Sequence, residues 1–522
     1  MATLVRAQFN FVAVMAFSWL ALITSAVLWG SATSTMVSAD DKVGDTEVGM
    51  DESALVVQNF LQYVKAHPAG EAAFTFDATA WSGDPRELPV GVFDSGIGGL
   101  TVLEAILNLD SFHNDTLAPG ADGRRDFENE SFVYFGDQAN MPYGNYSSVN
   151  RQNFLKELIL KDAAFLLGRR YWPDSKAEAP RMDKPSVKAI VIACNTATAW
   201  GLDEIRQLTK ELKVPVVVVG VVEAGSRGLM EQAAPQDNDH TVAVLATVGT
   251  CAANAYPKAI GRTLGLAGRK IPLVIQQGSV GLAGAIEGDA AFIIHPEALA
   301  TKRAGYLGPS ADNKNAPMMK DAMAAYGFDR TGLLGDPLTP ETVQINSISN
   351  YVRYDVATLV MNHRASGATS AIDTVVLGCT HFPLVKGEIL SAFAQLRRFE
   401  QDGKKPFESL IADSVQLVDP AEMTARELFR ELARSKSFRP ASKGDTRLPD
   451  LFYLSVASPH LAEAKLTAEG LLDRDYKYGR DPMHLSVEDT INVPMRAAQL
   501  PATSVSLLKS RLHKVWKRLN PQ

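Results

Sequence analysis

The sequence predicts an α/β fold built on parallel sheets, and three observations carry that reading. Short runs of Val, Ile, Leu and Phe recur at FVYFGD (132–137), VKAIVIACNT (187–196), VPVVVVGVVEAG (214–225), TVAVLATVGT (241–250), IPLVIQQG (271–278) and DTVVLGCT (373–380). They are nearly unbroken in apolar character, as strands buried on both faces must be. Segments of helical periodicity separate them, and strand–helix alternation of this kind folds into parallel sheets covered by helices. Glycines and small polar residues close each run, at the strand end where such sheets carry their ligands.

A chain of 522 residues, 46% hydrophobic and 21% charged, has the balance of a globular protein with two or three domains. Its formal charge of −7 gives no basic field for a nucleic-acid backbone, so nucleic acid is not an expected partner. The first 39 residues differ in kind. One arginine precedes an uncharged run at 11–30, and Val37-Ser38-Ala39 fits a small-x-small cleavage site ahead of Asp40. A signal peptide is expected, with an uncleaved membrane anchor as the alternative, because the run is long enough to span a bilayer once. Either reading exports the remainder, to the periplasm or anchored facing it. No later stretch matches this run.

Residues 40–87 read as an amphipathic helix at ESALVVQNFLQYVKA (52–66) followed by a Pro/Gly/Ala-rich linker. The α/β rhythm starts at LPVGVFDSGIGGLTVLEAIL (88–107). It is broken by a loop-rich insertion with some helix of its own at about 289–345, then returns as a strand at 450–459 and a helix at 460–472. Within a carboxyl-terminal extension at 476–522, Leu508, Leu512, Val515, Trp516 and Leu519 stand at helical spacing opposite Lys509, Arg511, Lys514, Lys517 and Arg518. Such a basic amphipathic helix can lie on an anionic membrane or dock on the protein itself.

Three cysteines, Cys194, Cys251 and Cys379, are too few for a disulfide framework, and their spacing is not that of a metal site. Two of them repeat one device. In AIVIACNTATA (189–199) and DTVVLGCTHFP (373–383) an apolar strand run ends in Cys, followed by small polar residues and a helix-compatible stretch. If the runs belong to two similar halves, both sulfurs face one cleft. A helix amino terminus behind each would favour the thiolate, the form that acts as base or nucleophile. His381, two residues past Cys379, is suited to exchange a proton near neutral pH. Cys251 reads as a packing residue.

Taken in order, GVFDSGIGGLTVL, YFGDQANMPYGNYS, VIACNTATA, VPVVVVGVVEAG and VVLGCTHFPL resemble the aspartate/glutamate racemase family, nearest to its glutamate-acting members, over about 88–290 and 345–475. The resemblance implies two pseudo-symmetric parallel-sheet sandwich domains, 88–222 (completed by 398–475) and 223–397 with the insertion, and an active site between them. It implies a racemase of a small amino acid that uses no cofactor and no metal. Cys194 and Cys379 would exchange the Cα proton of glutamate on opposite faces, with Asp94 assisting the first, His381 the second, and Glu287 as a further acidic helper. Ser95, Asn195, Thr196 and Thr380 would bind the carboxylate and amine. Pro142, Tyr143 and Gly144 would line the site, and Thr247 and Thr250 would meet the side-chain carboxylate.

Plainer roles compete: a turn or cap for Asp94, a core histidine at His381, caps for the hydroxyls. Two departures from the family pattern, QQGSVGLAGAIEGD at 276–289 and Ala246, fall on the wall beside the substrate. They leave aspartate, or a broader range of amino acids, as an alternative substrate. An exported non-catalytic protein that binds acidic amino acids or wall fragments is the alternative of another class. A dinucleotide site at GIGG fails, because Thr101 stands where the last glycine is needed. A homodimer and peripheral membrane contact by either terminal segment stay open.

Overall fold

Among the described residues, ten strands divide between two sheets. In the computed structural model, which describes residues 52–232, 240–294, 303, 305–336, 339–440, 447–462, 465–500 and 502–520, the strands in chain order are β1 Val90–Asp94, β2 Phe132–Gly136, β3 Ala189–Ile192, β4 Val217–Gly220, β5 Thr241–Thr247, β6 Leu273–Ser279, β7 Leu333–Leu334, β8 Gln344–Ile345, β9 Ile372–Gly378, β10 Ile411–Val418, β11 Leu451–Ala457 and β12 Thr490–Pro494. One sheet runs β12-β11-β2-β1-β3-β4 and the other β10-β9-β5-β6; β7 and β8 form a separate antiparallel pair. Every pairing within the two larger sheets is parallel except β11 with β12. The expected signal segment or anchor lies outside the described residues.

The unbroken apolar runs have the cause assigned to them. In β1 to β3, Val90, Val92, Phe132, Tyr134, Ala189 and Val191 enter one core while Phe93, Val133, Phe135, Ile190 and Ile192 enter another on the opposite face. Helices Glu52–Ala66, Gln152–Leu167 and Asn195–Glu211 cover the second face, and Leu100–Asn108 and Pro420–Arg434 the first. The second sheet is covered likewise, by Ile348–Ala365 and Lys386–Arg398 on one side and Val221–Gln232 and Ala255–Leu266 on the other. Among the described residues no helix is long and apolar enough to cross a membrane.

Three expectations are corrected. Residues 398–475 do not belong wholly to the first half: β10 pairs with β9 in the second sheet, and only β11 joins the first. The helix expected over 460–472 is absent among its described residues, where Leu466 bridges Leu472 and Thr467 N–H donates to the Leu471 carbonyl around Gly470 at φ +77°. Gly470 takes the left-handed conformation readily, so the chain turns there. Finally, the basic amphipathic stretch is two helices, Ala502–Arg511 and His513–Leu519. Their apolar face is already occupied: Leu508, Leu512 and Val515 are buried in the first-sheet core, and the Glu104 carboxylate accepts from the N–H groups of Lys514 and Val515 at 3.1 and 2.8 Å. That leaves no apolar stripe for a membrane surface. Leu508→Ala should cost about 2–5 kcal/mol, read as a lower denaturation midpoint of the lipid-free protein; an unmoved midpoint would show that this helix is not docked.

Candidate active site

The site is built where β1, β3, β5, β6 and β9 end. At the end of β1 the buried Asp94 carboxylate accepts from the N–H groups of Gly96 and Gly99, at 3.2 and 3.0 Å, so the turn role weighed for it is realised alongside a place in the site. The loop it anchors touches the other half of the molecule. A Cβ on Gly98 would lie 2.4 Å from His381 Cε1 and 2.6 Å from Thr380 Oγ1, closer than atoms can pack. The Thr101 hydroxyl sits within hydrogen-bonding reach of the Gly98 and Thr380 carbonyls, at 2.9 and 3.0 Å.

Cys194 follows β3 as the N-cap of helix Asn195–Glu211, its sulfur accepting from Ala197 N–H at 3.4 Å and lying 3.8 Å from Ser95 Oγ. The helix was expected to favour the thiolate. Burial wins instead, with the nearby Asp94 charge adding to it, and the thiol is pushed far up despite the Ala197 and Ser95 contacts. Asp94 is also raised by burial, against the pull of His381 and the Gly99 and Gly96 N–H groups. Protons are therefore held on this side of the site.

Cys379 follows β9, with its sulfur 3.7 Å from His381 Nδ1. The other ring nitrogen, Nε2, lies 2.7 Å from Glu287 Oε1. Burial alone would strip the imidazole of its proton, but Glu287 and Cys379 outweigh it and hold His381 well above its usual range. Glu287 thus meets His381 and reaches the chemistry through that ring.

Three hydroxyls form a triangle: Thr196 Oγ1 is 3.0 Å from Thr247 Oγ1 and 3.2 Å from Thr250 Oγ1, which are 3.0 Å from each other. Asn195 Oδ1 accepts from the Tyr256 hydroxyl at 2.6 Å, which fixes which end of its amide is turned from Tyr256. The Tyr143 hydroxyl points away from the site, 2.5 Å from Asp137 Oδ2 and 2.6 Å from Asp162 Oδ2. One phenol carries one proton. Asp162, driven well up by burial and by the Asp137 charge, supplies the second.

All the expected site residues except Thr250 line one cavity of about 160 Å³. Thr250 is fully buried behind Thr196 and Thr247, so it supports those hydroxyls and does not face the cavity. Sequence reasoning missed Met141, Asn145, Val248, Ser279, Asp289 and Phe292, which also line it. The Phe292 ring lies against Gly281 and Gly284, where a Cβ would come within 2.6 and 2.4 Å of it. Those glycines were visible in the sequence, but the insertion residue they make room for was not. Among the described residues no group of three or more His, Cys, Asp and Glu could hold a metal ion.

Behind Ser279 lies Asp355, buried in helix Ile348–Ala365 and raised by that burial to about 7, with Ser279 and Gln277 moderating the rise. A carboxyl whose folded pKa exceeds its unfolded value costs stability as pH climbs between the two, and the loss persists above. The window is pH 4 to 7 and the full cost up to about 4 kcal/mol. Asp355→Asn, which imitates the protonated acid, should melt higher than wild type at pH 8 and equally near pH 4. Equal melting at both pH values would remove the shifted proton from Asp355.

No family model matches the chain. The glutamate racemase of Thermus thermophilus is 28% identical over 364 residues, spanning 70% of this chain and 86% of the relative. That of Geobacter metallireducens is 28% identical over 355 residues, spanning 68% and 83%. Among solved structures, the glutamate racemase of Francisella tularensis in complex with D-glutamate is 20% identical, covers 71% of this chain and 88% of its own, and has a TM-score of 0.40. The chain is thus similar to curated glutamate racemases over about two thirds of its length.

Proposed function

We propose that this glutamate racemase-like protein interconverts L- and D-glutamate by moving the Cα proton between Cys194 and Cys379. The observation that carries the reading is the shared cavity: one cysteine comes from the end of β3 in the first sheet, the other from the end of β9 in the second, and both line the same space. In one direction the Cys379 thiolate takes the proton, breaking Cα–H and forming S–H, while the Cys194 thiol gives its proton to the opposite face. The reverse direction exchanges the roles. The high proton affinity of buried Cys194 suits it to deliver a proton, and His381, held charged by Glu287, sits beside the sulfur that must receive one.

The carbanion formed at Cα places charge on the substrate carboxylate. Hydroxyls of Ser95 and Thr380 and the Asn195 amide are the cavity's donors for it, and a pre-arranged donor costs no reorganisation during the reaction. Thr196 and Thr247 offer hydroxyls to the side-chain carboxylate, with Thr250 holding them in place. Among the described residues no Lys or Arg lines the cavity, so these hydroxyls carry the recognition of the second acid group. The departures at 276–289 alter this wall, which keeps aspartate and other amino acids as the second reading.

Purified protein incubated with a panel of L-amino acids and resolved on a chiral column tests both readings. Glutamate should racemise fastest. Cys194→Ser and Cys379→Ser should each lower kcat by about 10²–10⁴-fold while D-glutamate still binds. Full racemisation by either variant would refute the two-cysteine scheme, and binding without deuterium exchange at Cα by wild type would make the protein a binder.

A further inference from the structure

We propose that residues 474–503 act as a strap that holds the two walls of the cavity in place, with Lys477 as the positioning residue for the substrate-facing turn at 140–145; the inference rests on the racemase reading of that cavity. The turn carries Met141, Pro142, Tyr143, Gly144 and Asn145 into the cavity, and the strap holds it from behind. Lys477 Nζ donates to the Met141 carbonyl at 2.9 Å, and Asn145 Nδ2 donates to the Tyr478 hydroxyl at 3.1 Å. The Tyr478 ring lies 4.9 Å from that of Tyr146, and Arg480 donates to Asn140 Oδ1.

Charge explains why the contact is cationic. The back of the turn holds the buried Asp137, which already accepts from Asn140, Tyr143 and Ser455. An acid taken out of water needs compensating charge as well as donors. Burial pulls the Lys477 ammonium below its usual range, with Arg480 adding to the fall, and the charges of Asp137 and of the cavity-lining Asp289 act against it. Arg480, buried and paired with Asp489, anchors the segment itself. Lys477 spends its ammonium on one carbonyl of the substrate-facing turn, which is placement of that turn.

The strap's far end meets the second wall. Thr503 Oγ1 donates to the Glu287 carbonyl at 2.9 Å, and Gly288, at φ +81°, packs closely on Thr503, where a Cβ would lie 3.0 Å from its Cγ2. Because Glu287 holds His381, one continuous stretch touches the cavity on the first-sheet side through the turn and on the second-sheet side through Glu287.

Full-length Lys477→Met, Lys477→Arg and Thr503→Val proteins test this by backbone hydrogen exchange and by kinetics. Lys477→Met should speed exchange at 139–146 about tenfold, leave β1 unchanged, and raise KM for glutamate about tenfold with kcat within about threefold. Lys477→Arg should restore both. Thr503→Val should speed exchange at 286–288 and lower kcat more than it raises KM. Unchanged exchange at 139–146 in Lys477→Met overturns the strap whether or not the protein racemises glutamate, and faster exchange with unchanged KM overturns the positioning role. A wild type that racemises nothing while the exchange pattern responds refutes the racemase reading and leaves the strap standing.

Discussion

Both sulfurs open on one cavity because the loop after β1 is pressed against the loop after β9. That seam is narrow: Gly98 meets His381 and Thr380 with no space for a methyl group, and the Thr101 hydroxyl reaches the Thr380 carbonyl. Everything chemical in the site depends on it. Parallel strands end in loops that could each face solvent, and only contact between the two sets of loops converts two open strand ends into a closed space. Gly98 of GIGG serves this contact between halves, while Gly96 and Gly99 pack against Met141 and Asp94 of their own half; a dinucleotide site would turn them toward a phosphate.

Closure fixes the electrostatics that follow. A carboxylate or thiolate removed from water gains proton affinity unless donors or a cation compensate. On the Cys194 side the compensation, from the His381 charge acting on Asp94, backbone N–H groups and one serine, falls short of burial, and both Cys194 and Asp94 are pushed toward their protonated forms. On the Cys379 side His381 and Glu287 share a close ion pair, and the imidazole keeps its proton against burial. The two halves repeat a strand-end cysteine but differ in its company. A protonated thiol therefore stands at one strand end and a paired cation beside the sulfur at the other.

The sequence made these strand ends legible because chemistry there demands unusual residue types at the close of apolar runs; Cys194, Cys379, Asp94 and His381 stand out for that reason. Where structure depends on distant partners, local reading lost it. Strand β10 is a sheet edge whose middle residues are polar and exposed, so it lacks the apolar run that marks the central strands. Strand β12 pairs only along β11, after a long polar stretch with no periodicity to announce it. A helix terminus was expected behind both cysteines; it stands behind Cys194, whose sulfur accepts from Ala197 N–H, while Cys379 is followed by a 3-10 turn at Phe382–Val385, and at Cys194 burial prevailed over that donor. Thr250 was legible as part of a hydroxyl cluster, but its depth was not.

The departures at 276–289 and the insertion at 289–345 are one structural change. Phe292, three residues past Asp289, folds back onto Gly281 and Gly284, and neither could carry a side chain with the ring where it lies. Bulkier residues in that loop would exclude the ring; the ring, once present, requires glycine. Behind it the insertion completes its own packing: Ile293, Met318, Tyr326 and Ile345 join the second-sheet core, and the Tyr351 hydroxyl donates to the Phe292 carbonyl at 2.9 Å. The aromatic wall is therefore held from outside the cavity as well as from within. The Phe292 ring thus gives the cavity an apolar wall, and the insertion that carries it shapes a space that the Thr196 and Thr247 hydroxyls also line.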